Sequence, residues 1–290
     1  MLTRPSHKIL SYVAIGVSSL TVVMVSQMPQ AYAASMTFSA TGTNSATNSS
    51  LNSSVIFDDS LNPGQLTITL TNIGAGAKAP SDVLTSLFWD YNGSSPLNLS
   101  LASAKAATVT QNGTNTSNVD LLKIGTTTST TKKGKTTTET TYSPEWAFAS
   151  TNSQGGLGGD VSKPGAVAVT QKYGLGTAGL GIFQGIGGQT QQAYGIINGY
   201  DSSANKPITE NPFVNNSATF VLSGLPTAFD VKKISNIRFQ YGTNLNEAAT
   251  YYIAPPPPPK KVPEPNTAFA LALFAVGALR VVKKQSLLVA

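Results

Sequence analysis

The chain has 290 residues, 40% of them apolar, which is enough for one large or two small globular domains. Only 11% are charged, so Ser, Thr, Asn and Gln carry the polarity, and this composition favours strands and turns over long helices. Of the net charge of +6, all but one unit sits on Arg4 and Lys8 at one end and on Arg280, Lys283 and Lys284 at the other. The stretch between them is near neutral and leaves no clustered basic footprint for nucleic acid.

Cysteine is absent and the one histidine is His7. Beyond it there is no imidazole and no thiol, so Ser-His-Asp and Cys-His catalysis and His- or Cys-ligated metals are excluded. No cofactor is expected.

Residues 1–33 read as a secretory signal. Arg4 and Lys8 precede an apolar run from Ile9 to Val25, and Ala31-Tyr32-Ala33 then offers small residues for a signal peptidase. Cleavage after Ala33 makes Ala34 the first residue of the exported chain.

Residues 34–253 read as an all-β body, an antiparallel β-sandwich-like fold flanked by the signal helix and a single C-terminal membrane helix. The first strand is expected near Met36–Ala40, followed by a Ser/Thr/Asn-rich loop through Ser54. Further strands are expected at Val55–Phe57, Leu66–Thr71, Val83–Trp89 and Leu97–Ala102. "NPG" at Asn62–Gly64 and "YNGSSP" at Tyr91–Pro96 punctuate them as turns. Later candidates are Val119–Ile124, Trp146–Ala149, Ala166–Gln171, Thr219–Leu222 and Ile234–Tyr241.

Thr126–Thr141 is a Thr-rich stretch around "KKGK"; β-branched arms on either side of that tip would make a projecting hairpin, and a disordered loop is the alternative the low complexity leaves open. Lys132, Lys133 and Lys135 are then a solvated turn. Alternate hydroxyls on one face of such a hairpin would contact glycan or ordered water. The Gly-rich stretch Tyr173–Ile196 contains G-x-G-x-x-G at Gly174, Gly176 and Gly179, but further glycines would cripple the helix a dinucleotide site requires. It is expected to be a glycine-rich surface loop.

Trp89 and Trp146 lie in strand-like apolar surroundings and are expected in the core; exposed, they would stack on sugars. Asp58, Asp59, Asp82, Asp90, Glu145, Glu210 and Glu247 are the carboxylates from which a glycosidase pair would have to come, and nothing in their spacing pairs them. Asp58-Asp59 lacks the surrounding pattern of a Ca²⁺ loop and is read as the start of a turn. No metal site is expected.

Residues 254–261 carry Pro255–Pro259, a semi-rigid polyproline spacer. Residues 262–284 begin with Val262-Pro263-Glu264-Pro265, continue in an apolar run placing a membrane helix at about 266–282, and end in the basic cluster Arg280, Lys283 and Lys284. Residues 285–290 form a short tail. The cluster sets topology, with basic residues on the cytoplasmic side and the body outside.

This order of motifs resembles the PEP-CTERM sorting signal of bacterial exosortase substrates. The segments "FDDSLNPGQLTITLTN", "PSDVLTSLFWDYNG", "PEWAFAS", "LSGLP" and "ISNIRFQYGT" make the body resemble a cyanobacterial group of exosortase-dependent surface proteins. The resemblance implies export through the general secretory route, transient anchoring in the inner membrane, and processing near Pro263-Glu264-Pro265. The product would reach the cell surface or extracellular matrix as a non-enzymatic protein. Its implied partners are the secretion machinery, the exosortase, the inner membrane and extracellular polysaccharide, the last contacted through Trp89 or Trp146 if the body is a carbohydrate-binding module.

Overall fold

The computed structural model describes residues 34–158, 167–178, 182–183 and 192–255, and strands dominate them. In chain order these are β1 (Ser35–Asn44), β2 (Ser49–Asp58), β3 (Gln65–Asn72), β4 (Leu84–Tyr91) and β5 (Ser100–Gln111). Next come β6 (Thr114–Asp120), β7 (Ile124–Lys132), β8 (Lys135–Ser143), β9 (Trp146–Ser150) and β10 (Tyr173–Thr177). The last are β11 (Ile196–Ile197), β12 (Phe213–Asn215), β13 (Ser217–Ser223), β14 (Ile234–Tyr241) and β15 (Ala249–Tyr251). One short helix, α1 (Lys206–Glu210), precedes β12.

Thirteen of the strands share one hydrogen-bonded network, and β7 and β8 pair only with each other. The network runs β1-β2-β3-β13-β5-β12-β11-β4-β10-β9, with β6 beside β5, and with β14 and then β15 on the other edge of β4. Pairing is antiparallel except between β11 and β12, which run parallel through Ile196↔Val214 and Ile197↔Asn215. A wholly antiparallel body is therefore corrected here, where the network passes from β5 to β4, and the isolated bridge from Ala77 to Tyr200 is parallel as well.

The network has two wings whose apolar faces meet. Phe57 of β2 packs edge-on to Trp89 of β4 at 5.5 Å between ring centres. Trp146 of β9 lies 4.8 Å from Phe220 of β13. Phe38 of β1 meets Tyr252, just past β15, at 5.0 Å. Period-two alternation produces this layer: Leu66, Ile68 and Leu70 of the "LTITLT" strand are all fully buried.

Three elements depart from expectation. The Ser/Thr/Asn stretch after Ala40 is strand rather than loop, because β2 buries Ser49, Leu51, Ser53, Val55 and Phe57 on one face. Small hydroxyl residues fill core positions there without apolar lettering. The hairpin of β5 and β6 turns on Asn112 and Gly113, both with positive φ (48° and 73°), as a two-residue turn demands. The strand expected at Ala166–Gln171 is reduced, in its described part, to a bridge from Val169 to Gly158.

The Gly-rich stretch is the largest correction. Its first residues form β10, buried at every position between β4 and β9. Tyr173 and Leu175 point into the aromatic core. Gly174 and Gly176 point the other way and leave a trough for the Phe183 ring, which stacks on Phe88 at 5.8 Å. The glycines serve aromatic packing and not phosphate binding.

The contact pattern divides the chain after Tyr252, and every strand belongs to the first unit. Among the described residues no helix is long and apolar enough to cross a membrane. The expected signal helix (1–33) and membrane helix (about 266–282) lie outside the described residues.

A methyl group at Gly176 would overlap the Phe183 ring and Ser86 Oγ. Gly176→Ala is expected to cost about 1–3 kcal/mol of stability by overpacking. Adding Phe183→Ala should cancel part of that cost, a coupling that urea-unfolding midpoints of the four variants in the cycle will measure.

Candidate functional site

The feature that stands apart from the core is the β7–β8 hairpin, exposed along nearly its whole length. Its turn is Lys133-Gly134, with φ of 48° and 75°, joining the directly opposed pair Lys132↔Lys135. Threonine keeps the arms extended because its branched Cβ suits a pleated surface. Of the two readings the sequence left open, the structure has the hairpin with a solvated basic tip and not the loop.

The two faces of this ribbon differ. One carries Thr127/Thr140, Ser129/Thr138 and Thr131/Thr136, whose hydroxyl oxygens bond across the strands at 3.1, 3.2 and 2.9 Å. At its root the Tyr142 ring lies over the bare backbone of Gly125, and the residue is 69% exposed. An uncharged ladder of fixed hydroxyls beside an open aromatic ring can bond and stack on a polar, uncharged ligand. The other face carries Thr126/Thr141, Thr128/Glu139, Thr130/Thr137 and Lys132/Lys135.

The tryptophans are not on any surface. Trp89 is enclosed by Phe57, Phe148 and Tyr173. Trp146 is enclosed as well, and its Nε1–H donates to the Tyr194 carbonyl at 2.8 Å. Both are removed as sugar-stacking residues, because each is fully buried between the wings. Tyr142 is the aromatic that sequence reasoning missed; the Gly125 opposite it becomes visible only through the hairpin register.

Most of the carboxylates named from the sequence are engaged one by one in separate turns and contacts. Asp82 is a buried polar hub that accepts from Asn44 Nδ2 (2.7 Å), Thr47 Oγ1 (2.6 Å), Ser49 Oγ (3.1 Å) and the Lys78 and Ala79 N–H groups. It fastens the turn before β4 to the β1–β2 hairpin. Asp58 closes a turn through the N–H and hydroxyl of Ser60. Asp59 accepts from the Ala34 N–H, and Asp90 from the Lys172 N–H and Asn236 Nδ2. Glu247 accepts from the Thr243 and Asn244 N–H groups, and Glu210 ends α1. Among the described residues no group of three or more His, Cys, Asp or Glu could hold a metal ion.

Glu145 is different. It follows β8 at the root of the hairpin and is almost fully buried, and among the described residues its carboxyl accepts one long hydrogen bond, from Ser143 Oγ at 3.4 Å. Burial pushes its carboxyl up from an ordinary 4.5 to about 7, against a lesser opposing effect of the Ser143 hydroxyl. Burial also raises the neighbouring Tyr194 phenol, and the Glu145 charge raises it further.

Ala34 is described; Ala31, Ala33, Val262, Pro263, Glu264, Pro265, Arg280, Lys283 and Lys284 lie outside the described residues.

Between the ordinary carboxyl value and about 7, folded Glu145 keeps its proton while the unfolded chain has lost it. Stability therefore falls as pH rises through this window and levels off above it, by at most about 1.4 kcal/mol per pH unit from this group. Glu145→Gln should match the parent in thermal midpoint near pH 4.5 and exceed it at pH 8. Thermal melts across that range are the measurement, and parallel curves for the two proteins would refute the assignment.

No family model matches the chain, and no curated protein matches it. Among solved structures, the KRT10-binding region domain of the pneumococcal serine rich repeat protein PsrP aligns at 11% identity, over 77% of this chain and 99% of that one, with a TM-score of 0.22. The Clostridium perfringens NetB toxin in its membrane inserted form aligns at 8% identity, over 76% of this chain and 92% of that one, with a TM-score of 0.16. At such scores neither likeness bears on this chain's fold or activity.

Proposed function

We propose that this is an exported, non-enzymatic protein of the cell surface or extracellular matrix, sorted and processed by an exosortase through its Pro-Glu-Pro signal. One observation carries the reading. A secretory-type leader, a β-rich body, a polyproline spacer, Val262-Pro263-Glu264-Pro265, an apolar run and a basic cluster follow one another in a single chain. We read the body as β-sandwich-like, since aromatic rings meet across the two wings. Most of its carboxylates are engaged in turns and the Asp82 hub, which agrees with a structural role for them.

A second reading, contact with extracellular polysaccharide, moves from the tryptophans to the hairpin. The observation in its favour is the hydroxyl ladder with Tyr142 at its root. The uncharged face suits an uncharged glycan.

Intact-mass measurement of the protein from the cell surface should give a chain beginning at Ala34 and ending near Pro263-Glu264-Pro265. Changing Pro263 and Glu264 together to Ala should leave the chain in the membrane fraction. Surface protein that retains residues through Ala290 would overturn processing. For the second reading, the parent should bind neutral polysaccharide and Tyr142→Ala should lose about 1–3 kcal/mol of that binding while staying folded. A parent that binds no glycan ends it.

A further inference from the structure

Among the described residues β7 and β8 pair with nothing but each other, which leaves both edges of the hairpin open. Open edges of β-prone, weakly charged sequence are templates for another strand. The turn fixes which backbone groups are free. Lys132 and Lys135 flank a two-residue turn, so they form a hydrogen-bonded pair, and bonded and non-bonded pairs alternate from there. The hydroxyl bonds at Thr131/Thr136, Ser129/Thr138 and Thr127/Thr140 fall on the non-bonded pairs, where side chains approach most closely. On β8, Lys135, Thr137 and Glu139 therefore turn their N–H and C=O toward β7. Thr136, Thr138 and Thr140 turn theirs outward, to the open edge.

The charges on the opposite face are unresolved within one chain. Lys132 and Lys135 stand directly opposed, a like-charge pair that weakens a hairpin. Glu139 is the acid of this hairpin and lies on the same face, but four residues along the same strand it is about 14 Å from Lys135. Among the described residues neither of them makes an ion pair.

We propose that β8 pairs antiparallel with β8 of a second copy of this chain, about a two-fold axis through Thr137. This register sets Lys135 opposite the second copy's Glu139, and Glu139 opposite its Lys135. It also matches the backbone. Thr136 faces the second copy's Thr138, and both present outward N–H and C=O groups. Lys135, Thr137 and Glu139 fall on non-bonded pairs, where side chains lie closest. Among registers that satisfy this backbone parity, the one centred on Thr138 opposes Lys135 and Glu139 with threonines, and the one centred on Thr136 opposes Lys135 with Thr137 and carries Glu139 past the end of β8, to the turn at Lys133. The one centred on Glu139 sets two carboxylates face to face. The contact is isologous and closes as a dimer. It goes beyond the proposed export route and does not depend on it.

The absence of cysteine makes a direct test available on the full chain in mild detergent. At a two-fold non-bonded pair, facing Cα atoms lie within disulfide reach. Thr137→Cys should oxidise to a disulfide dimer about tenfold faster than Thr130→Cys, its equally exposed neighbour on β7, since only position 137 meets itself across the axis. In the Thr137→Cys background, K135E alone and E139K alone should each slow the reaction several-fold, because each sets like charges together. Mixing those two variants should restore it as a mixed dimer, as should combining both changes in one chain; misfolded variants would give no such rescue. K132E should leave the rate intact. Equal rates at positions 130 and 137, or no rescue on mixing, would overturn the proposal. Loss with K132E in place of K135E would overturn it in favour of β7 pairing with β8 of the next copy.

Discussion

The structure depends on one constraint: a single hydrogen-bonded network has to fold over so that its two wings bury the same apolar layer. The link between the wings is thin, made of the two residues of β11 and the three of β12. Hydrogen bonding across such short strands fixes direction but contributes little cohesion. The Phe57–Trp89, Trp146–Phe220 and Phe38–Tyr252 contacts supply it, each burying large aromatic area from both sides. Much else follows. Neither tryptophan is left for a ligand. The back of the second wing, lined by Phe88, requires its own cover, and Phe183 provides one over the glycines of β10.

The legible parts of the fold were those where one face is apolar in letters as well as in fact. Leu66, Ile68 and Leu70 alternate with threonine and announce β3 directly. The β1–β2 hairpin hid because Ser49 and Ser53 occupy core positions, and because the buried Asn44 and Ser49 both bond to Asp82, a partner some 35 residues away in sequence. β10 hid for a different reason. Glycine is a poor strand former in isolation, and its use here becomes clear only when the Phe183 ring is seen resting on it. The hairpin was legible from threonine and the "KKGK" tip. Its charge conflict was not, since opposition of Lys132 and Lys135 is a matter of register, and register follows from turn length.

The molecule thus divides its labour by chemistry. Aromatic and aliphatic residues close the body, buried polar groups such as Asp82 and Glu145 hold particular turns in place, and the hydroxyl-rich ribbon offers the outward surface. Pairing of β8 across two copies would bring Thr136 of one beside Thr138 of the other and widen the hydroxyl ladder from two strands to four. The uncharged face and the charged face are then two aspects of one element, the second setting the width of the first.

The position of β13 has a kinetic consequence. It lies between β3 and β5, with Ser217 opposite Thr71 and Ala218 opposite Ala106. The first wing is incomplete until a strand from far downstream inserts into its middle, and β4 waits longer still for β14. Loop-closure entropy has to be met before these distant pairings return anything, which makes such a topology slow to fold. A chain emerging from its N-terminus can therefore form the β1–β2–β3 meander early but cannot lock it. Its tertiary core closes only when nearly all of the body has been made, so the order of synthesis and the order of assembly are decoupled.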